Sequence, residues 1–225
     1  MRAQKPSRIY LLRHGHSTAN AKSILAGRDP KVLLTNLGKD QAMAVSKYFE
    51  EISLAAIYSS PLPRCLETLK PVQARFSKLE VQKLPGVIEM DYGTWSGKKL
   101  LNLSKSALWR TIQSRPSLVR FPDGESFLEM SDRAFSAIRA AAIPGKNILV
   151  CSHGDVIKSI IASATGLNLD NFQKLSADPA SISIIEIAGD STRLISANIT
   201  SHLSGVLVAG KKRSNLRLGG GSGEN

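Results

Sequence analysis

The chain has 225 residues, 42% of them hydrophobic, and a formal net charge of +12. This size and composition suit one sizeable α/β domain, and the apolar runs are too short for a membrane span or a signal peptide. Its two cysteines are too few for a disulfide framework, so we expect a soluble cytoplasmic protein.

The first predicted strand is an apolar run over residues 9–12, followed by the Arg-His-Gly triplet 13–15. Continuous apolar runs of this length are typical of strands that are buried on both faces of a parallel sheet. A polar loop over residues 16–34 comes next. Thr35 is then the expected N-cap of a helix that reaches about residue 51.

Strands and helices continue to alternate after this helix. Residues 55–58 form the second predicted strand and residues 81–84 the third. Between them, Ser60 is the expected N-cap of a helix over about 62–76, with Pro61 in its first position.

Residues 86–143 interrupt the alternation. We interpret them as a mostly helical insertion beside the sheet, with short polar helices near 98–114 and a longer helix over 126–142. An insertion in this position is a natural lid for a site at the edge of the sheet.

The fourth predicted strand, residues 148–151, leads into the Ser-His-Gly triplet 152–154. A helix over about 155–164 follows. Residues 181–187 and 192–199 then predict an antiparallel hairpin at one edge of the sheet.

Together these elements predict a three-layer α/β/α fold with a mostly parallel sheet, a helical insertion and a C-terminal antiparallel hairpin. We assign residues 1–204 to this single domain, with the insertion at about 86–143. Residues 205–225 are basic and rich in glycine, so we expect them to form a flexible tail.

Strands one and four should bring His14 and His153 together, because the carboxyl ends of parallel strands meet at one edge of a sheet. Neutral imidazole is a nucleophile that can accept a phosphoryl group, and the transferring group needs cations around it. Arg13 and Arg64 are the candidates, because guanidinium groups bind phosphate oxygens in a bidentate manner. The sequence therefore predicts a site for an anionic group.

Phosphoryl transfer also needs a proton for the leaving oxygen. Glu89 is the candidate donor, a role that requires an enclosed and protonated carboxyl group. Asp91 is its competitor in the same loop, and a solvated charge is the alternative interpretation of either residue.

Four sequence blocks, spread over about residues 9–161, resemble the histidine phosphatase superfamily, also called the phosphoglycerate mutase-like family. In chain order they are Arg13-His14-Gly15; Ser59-Ser60-Pro61-Leu62 leading to Arg64 and Glu67-Thr68; Glu89 ahead of Tyr92-Gly93-Thr94-Trp95-Ser96-Gly97; and Ser152-His153-Gly154. The arrangement, with residues 121–125 before the longer helix, looks most like an actinobacterial-type branch.

The resemblance implies a role for each residue of the predicted site. His14 would be the phosphorylated nucleophile, Glu89 the proton donor, and Arg13, Arg64 and His153 the phosphate-binding residues. Further contacts to substrate or phosphate would come from Ser17, Asn20, Gly27 and Gly154, and no metal would be needed.

The resemblance also implies phosphoryl transfer through phosphohistidine, with a small phosphorylated metabolite as substrate. We favour hydrolysis of the ester. The alternative is a phosphoglycerate mutase or another phosphomutase, which would use 2,3-bisphosphoglycerate as cofactor. Two departures bear on this choice: His16 stands where many members have Glu or Gln, and the basic stretch that follows the general acid in true cofactor-dependent mutases is not found.

Other hypotheses remain open at this point. A non-catalytic polyanion-binding protein would fit the +12 charge and the basic tail, although an aromatic content of only 5% argues against nucleic acid as the partner. A metal site built from His14, His16 and His153 is disfavoured, because residues i and i+2 of a strand point to opposite faces. The terminal hairpin leaves a sheet edge with which a second copy could pair.

Overall fold

The structure is a computed structural model that describes residues 5–206 and the short segments 213–214 and 223–224. A mixed sheet of six strands forms its centre. The strands are β1 (Ser7–Arg13), β2 (Ala56–Ser59), β3 (Val81–Lys83), β4 (Asn147–Ser152), β5 (Ile182–Ala188) and β6 (Ser191–Ile199). Their order in the sheet is β3-β2-β4-β1-β5-β6.

The sheet is mostly parallel, as predicted. β1 pairs in parallel with β4 on one side and antiparallel with β5 on the other, and β6 closes the terminal hairpin. Arg13 lies opposite Ser152 in the register between β1 and β4, so both strands end at the same level. The residues that follow the two strands therefore share one edge of the sheet.

Helices cover both faces of the sheet, which confirms the predicted α/β class. The described residues contain α1 (Thr18–Ala21), α2 (Asn36–Tyr48), α3 (Pro63–Arg75), α4 (Leu100–Leu103), α5 (Ala107–Ser114), α6 (Phe127–Ala141) and α7 (Gly154–Thr165). Short 3-10 turns lie at Pro85–Val87, Gly93–Trp95, Pro116–Leu118, Leu169–Lys174 and Ser201–Leu203. Thr35 caps α2, as expected, by accepting a hydrogen bond from the Gly38 amide.

Alternate residues of β1 enter two different hydrophobic cores. Ile9 and Leu11 pack in the core shared with α6 and α7, and Leu12 packs in the core shared with α2 and α3. All three side chains are fully buried. Burial of each stabilises the fold by about 1.5–3 kcal/mol, so both cores hold the strand that leads to His14.

The prediction that Ser60 caps α3, with Pro61 in first position, is wrong. The helix begins at Pro63, and Leu62 is the N-cap residue, with no side-chain cap bond. The residue before a proline is disfavoured in the α region, and Leu62 accordingly has an extended backbone (φ −75°, ψ 138°). The helix therefore starts one proline later than the sequence suggested, and the Ser60 side chain contacts His153 instead.

Residues 86–143 are largely helical, and their buried residues pack into the main core. The buried face of α6, including Phe127 and Ile138, belongs to the same core as β1 and β4, so α6 is a layer of the main fold. α4 and α5 precede it, and an antiparallel bridge between Ile24 and Lys99 joins their segment to the loop after His14. Leu103 of α4 and Ile112 of α5 belong to the same core, so packing does not set these helices apart from the main fold, and the lid stays a prediction.

The predicted tail at 205–225 lies almost wholly outside the described residues. Two short segments of it, β7 (Arg213–Ser214) and β8 (Gly223–Glu224), pair antiparallel with each other. Across the described part of the chain, no helix is both long enough and apolar enough to cross a membrane.

Candidate active site

His14 and His153 lie side by side at the carboxyl edge of the parallel strands. His14 follows β1 and its amide donates to the Ser152 carbonyl at the end of β4 (3.0 Å). His153 follows β4 and is the N-cap residue of α7. The centroids of the two imidazole rings are 5.3 Å apart and both residues are buried.

Close backbone approach requires a glycine directly after His14. A Cβ atom on Gly15 would lie 2.7 Å from the Gly38 carbonyl oxygen, and one on Gly38 would lie 2.1 Å from the His16 carbonyl oxygen. The Gly15 amide donates to Thr68 Oγ1 at 2.9 Å. Glycines at both positions thus let the end of β1 pack directly onto the first turn of α2.

The His14 ring has one defined tautomer. Its Nδ1 lies 2.8 Å from the Gly15 carbonyl oxygen, which can only accept a hydrogen bond. Nδ1 therefore carries the proton in the neutral ring, and the lone pair is on Nε2. Burial, followed by the charges of Arg64 and Arg13, holds the pKa of His14 well below its usual value. The ring is therefore neutral near pH 7.

Two buried guanidinium groups converge on the histidines. Arg64 lies in the first turn of α3 and donates through Nη2 to the Gly27 carbonyl (2.9 Å) and to His153 Nδ1 (3.1 Å). Its Nε and Nη1 are buried and have no hydrogen-bond partner in the part of the chain that the structure describes. Arg13 is buried at the end of β1 and donates to the Ala177 carbonyl at 2.6 Å. Buried donors without partners are unfavourable unless they meet an acceptor, and phosphate is a strong one.

His153 has the opposite tautomer. Because Arg64 donates to Nδ1, the proton of the neutral ring is on Nε2, which donates to Ser60 Oγ at 2.7 Å. Burial, then the charge of Arg64, holds the pKa of His153 well below its usual value. In this state the ring orients Arg64 and offers no free N–H to an anion.

Glu89 is buried beside this group, whereas Asp91 is not. Glu89 Oε2 lies 3.7 Å from His153 Nδ1 and 4.0 Å from Arg64 Nη2, and Oε1 accepts from the Met90 amide at 3.0 Å. Burial raises its pKa from 4.5 to about 7, against the opposing effect of Arg64. Asp91 is 41% exposed and pairs with Arg28. The enclosed carboxyl of Glu89 can therefore hold a proton near neutral pH.

The other predicted contact residues lie around this centre with different environments. Ser17 and Asn20 bond to each other in a capping box at the start of α1, so these polar atoms stabilise the loop after His14. Gly27 has a positive φ (+53°), and a Cβ there would lie 2.5 Å from Ser96 Oγ. Gly154 is the first residue of α7.

Sequence reasoning missed several residues that support the site. Thr68 accepts from the Gly15 amide and donates to the Arg64 carbonyl (2.7 Å), so it ties α3 to the residue after His14. Ser60, predicted as a helix cap, instead accepts a hydrogen bond from His153 Nε2 at 2.7 Å. Arg28 and Arg133 both donate to the Glu89 carbonyl, at 2.9 and 3.2 Å. A contact between residues 44 to 61 positions apart leaves no local pattern in the sequence.

His16 is not grouped with the two site histidines. Its Nδ1 contacts Thr35 Oγ1 at 2.8 Å and its amide donates to Gln41, both near α2. Within the described ranges, no group of three or more His, Cys, Asp and Glu residues could hold a metal ion.

Comparisons with known proteins point to one family. The model of the histidine phosphatase superfamily (branch 1) matches residues 9–200. Phosphoserine phosphatase 1 of Hydrogenobacter thermophilus is 29% identical over 210 residues, which cover 91% of this chain and 98% of that protein. A 2,3-bisphosphoglycerate-dependent phosphoglycerate mutase of Bartonella henselae is 29% identical over 175 residues, 71% of this chain and 82% of that protein. The solved structure of Bacillus stearothermophilus YhfR superposes with a TM-score of 0.82, at 27% identity over 88% of this chain and 99% of that one.

Proposed function

This chain belongs to the histidine phosphatase superfamily, and on that premise we propose that it hydrolyses a small phosphate monoester with His14 as the nucleophile. Phosphoryl transfer through phosphohistidine is the chemistry of the family. The residues that perform each step here, and the choice of water as the acceptor, are the proposal.

In the first step, the lone pair of His14 Nε2 attacks phosphorus as the bond to the ester oxygen breaks. The Glu89 carboxyl gives its proton to that oxygen, so an alcohol leaves and a carboxylate remains. The phosphorylated ring keeps its Nδ1 proton and becomes cationic. Its hydrogen bond to the Gly15 carbonyl therefore becomes charge-assisted and stronger.

Arg64 and Arg13 balance the charge of the transferring group. The Nε and Nη1 of Arg64, which have no partner among the described residues, are two charged donors available to phosphate oxygens. His153 contributes by accepting from Arg64 Nη2 through Nδ1, which holds that guanidinium in place beside the transferring group. In a buried site these interactions are worth more than in water, so the arginines supply the charge that the mechanism needs.

In the second step, water attacks the phosphorus of phosphohistidine. The Glu89 carboxylate accepts a proton from this water, the bond between nitrogen and phosphorus breaks, and His14 and protonated Glu89 are restored with release of inorganic phosphate. The same residue thus serves as acid and then as base, which suits a carboxyl group with a pKa of about 7.

One observation carries the proposal: two buried donors of Arg64, without a partner in the described ranges, lie beside a neutral histidine of fixed tautomer and a carboxyl that is partly protonated at pH 7. The name of the Hydrogenobacter relative, which is matched over nearly its whole length, supports hydrolysis. The name of the Bartonella relative supports the second candidate, a mutase that returns the phosphoryl group to a substrate.

The test measures phosphate release and interconversion of 2- and 3-phosphoglycerate side by side, for the wild type and His14→Ala. We expect free phosphate from small esters, abolished by the substitution. Fast interconversion that needs 2,3-bisphosphoglycerate and releases little phosphate would make the protein a mutase. Undiminished phosphate release by His14→Ala would contradict both candidates.

A further inference from the structure

A cluster of one carboxylate and two guanidinium groups lies directly behind Glu89. Glu125 Oε1 accepts from Arg28 Nη2 (3.0 Å) and from Arg133 Nη2 (2.6 Å), and its Oε2 accepts from Arg133 Nε (2.9 Å). The three residues come from the loop after α1, the segment before α6 and α6 itself. None of the three carries a role in the catalytic steps described above.

Both arginines of this cluster also hold the main chain of Glu89. Arg28 Nε and Arg133 Nη2 donate to the Glu89 carbonyl at 2.9 and 3.2 Å. Arg133 Nη1 donates to the Ile88 carbonyl at 2.9 Å. Hydrogen bonds from charged donors are about twice as strong as neutral ones. The backbone that carries the Glu89 carboxyl is therefore fixed by several charge-assisted bonds.

Arg28 also connects this region to the phosphate-binding arginine. The residue before it, Gly27, accepts through its carbonyl from Arg64 Nη2 at 2.9 Å. Two consecutive residues of one loop thus contact Arg64 and Glu89. A shift of that loop would move both groups together.

We propose that Arg28 and Arg133, joined by Glu125, are positioning residues that hold the Glu89 carboxyl at its working distance from Arg64. The proposal rests on the function proposed above, in which Glu89 is the general acid. It adds that this role depends on three residues that do not touch the reacting atoms.

The distance between Glu89 and Arg64 explains why positioning matters. Glu89 Oε2 lies 4.0 Å from Arg64 Nη2, at the outer limit of an ion pair. A carboxyl that is free to move closer would ionise, because opposite charges at short range favour the charged form. An ionised Glu89 has no proton for the leaving oxygen. The restraint on the Glu89 backbone thus keeps its carboxyl away from Arg64 and in the protonated form.

The prediction for the pH profile takes account of the other groups around Glu89. They are Arg64 on α3, Arg13 on β1, His153 and Asp155 at the start of α7, and Tyr92 in the following loop. If Arg28 acted on Glu89 only through its charge, removal of that charge would raise the pKa of Glu89. Loss of positioning would lower it, because the carboxyl approaches Arg64. The two causes shift the alkaline limb of the pH profile in opposite directions.

The experiment compares Arg28→Gln, Glu125→Gln and Arg28→Lys with the wild type on two substrates. Glycerol 2-phosphate has an alkoxide leaving group that needs a proton, whereas para-nitrophenyl phosphate has a phenolate that leaves without one. For Arg28→Gln and Glu125→Gln we expect kcat/KM on glycerol 2-phosphate, which reports only the steps through phosphorylation of His14, to fall about 10- to 100-fold, and its alkaline limb to move to lower pH. The kcat/KM on para-nitrophenyl phosphate should fall much less, and Arg28→Lys should recover part of the loss.

A second cluster in the same protein provides a matched control. Glu186 accepts from Arg8 Nη2 at 2.7 Å and from Arg193 Nη2 at 2.6 Å, near the amino end of β1. Glu186→Gln removes the same kind of carboxylate between two arginines far from Glu89, so kcat and the pH limb should stay at wild-type values.

Three outcomes would overturn the proposal. They are equal losses on the two substrates, an alkaline limb that moves to higher pH, or a loss in Glu186→Gln as large as in Glu125→Gln. Glu89→Gln, measured in parallel, separates this failure from that of the proposed function. If Glu89→Gln shows the substrate-dependent loss and the cluster variants do not, only the positioning role fails; if Glu89→Gln shows none, both fail.

Discussion

Burial acts on His14 and Glu89 in the same direction, towards the uncharged form, and gives each the state that its proposed role requires. An uncharged imidazole is a nucleophile, and an uncharged carboxyl is an acid. Desolvation is the largest cause of both pKa shifts. Burial in one site thus favours the uncharged form of both a basic group and an acidic group.

The pH dependence of kcat/KM follows from these shifts. We expect activity to fall as pH rises through about 7, because Glu89 loses its proton there. Protonation of His14 should limit activity only well below pH 6.5, since its pKa is lowered. Rate profiles on glycerol 2-phosphate for the wild type and Glu89→Gln test this, and the variant should lack the alkaline limb and lose about 100- to 10,000-fold in rate. An alkaline limb that persists unchanged in the variant would contradict the assignment.

The same carboxyl should make stability depend on pH. Its folded-state pKa of about 7 lies above the ordinary value of 4.5, so the folded state binds the proton more tightly. The free energy of unfolding contributed by this group therefore declines as pH rises from about 4.5 to 7. Glu89→Gln removes the decline. We expect the variant to gain up to about 3 kcal/mol relative to the wild type between pH 4.5 and 8, measured by urea unfolding. A constant difference across that range would show that the group is not shifted.

At the scale of elements, the site depends on how closely β1 approaches α2. The amide and carbonyl groups around His14 are fixed by β4, by Thr68 and by the first turn of α2. Two glycines allow this approach, because any Cβ between the segments would overlap a backbone oxygen. The position of the nucleophile is thus set by backbone packing more than by its own side-chain contacts.

Gly38→Ala tests this contact. In an ordinary helix position alanine would stabilise by about 1 kcal/mol over glycine, but here the new Cβ lies 2.1 Å from the His16 carbonyl oxygen. We expect the variant to lose about 1–3 kcal/mol of stability and to lose activity as His14 is displaced. Thermal unfolding and kcat check this, with the exposed neighbour Lys39→Ala as control. A variant that is more stable than the wild type would contradict the close approach.

Elements with a local pattern were predictable from sequence, and long-range side-chain contacts were not. The apolar runs before His14 and His153 predicted parallel strands, because strands buried on both faces need apolar residues throughout. The start of α3 was misplaced because the rule for Ser-Pro caps competed with the extended preference of the residue before Pro63. Arg28 has no local sequence signal for its contacts, because its partners Glu89 and Glu125 are 61 and 97 positions away.

At the scale of the whole molecule, the formal charge of +12 is a weaker predictor of the bound ligand than the positions of two buried arginines, Arg13 and Arg64. Charge on the surface attracts many anions. In the proposed site, by contrast, the anion is bound by Nε and Nη1 of Arg64, which have no partner in the described part of the chain. A phosphate-like anion should therefore stabilise the folded protein through this site.

Orthovanadate provides a measure of this linkage. At about 100 times its Kd it should raise the free energy of unfolding by about 2.7 kcal/mol, seen as a higher Tm. Arg64→Met should lose most of this increase at the same concentration. Arg139→Met removes an exposed guanidinium paired with Asp190 and should keep it. A Tm increase that both variants retain would place the anion elsewhere on the basic surface.

The measurement that tests the central claim most directly is the identification of the phosphorylated residue during turnover. The reaction with a small phosphate ester is quenched rapidly without acid, and the peptides are then analysed by mass spectrometry. An acid-labile phosphoryl group should be found on His14, and it should appear and decay as fast as phosphate is released. His14→Ala should carry no label. A wild-type enzyme that turns over without phosphate on His14, or with phosphate on another residue, would contradict the account.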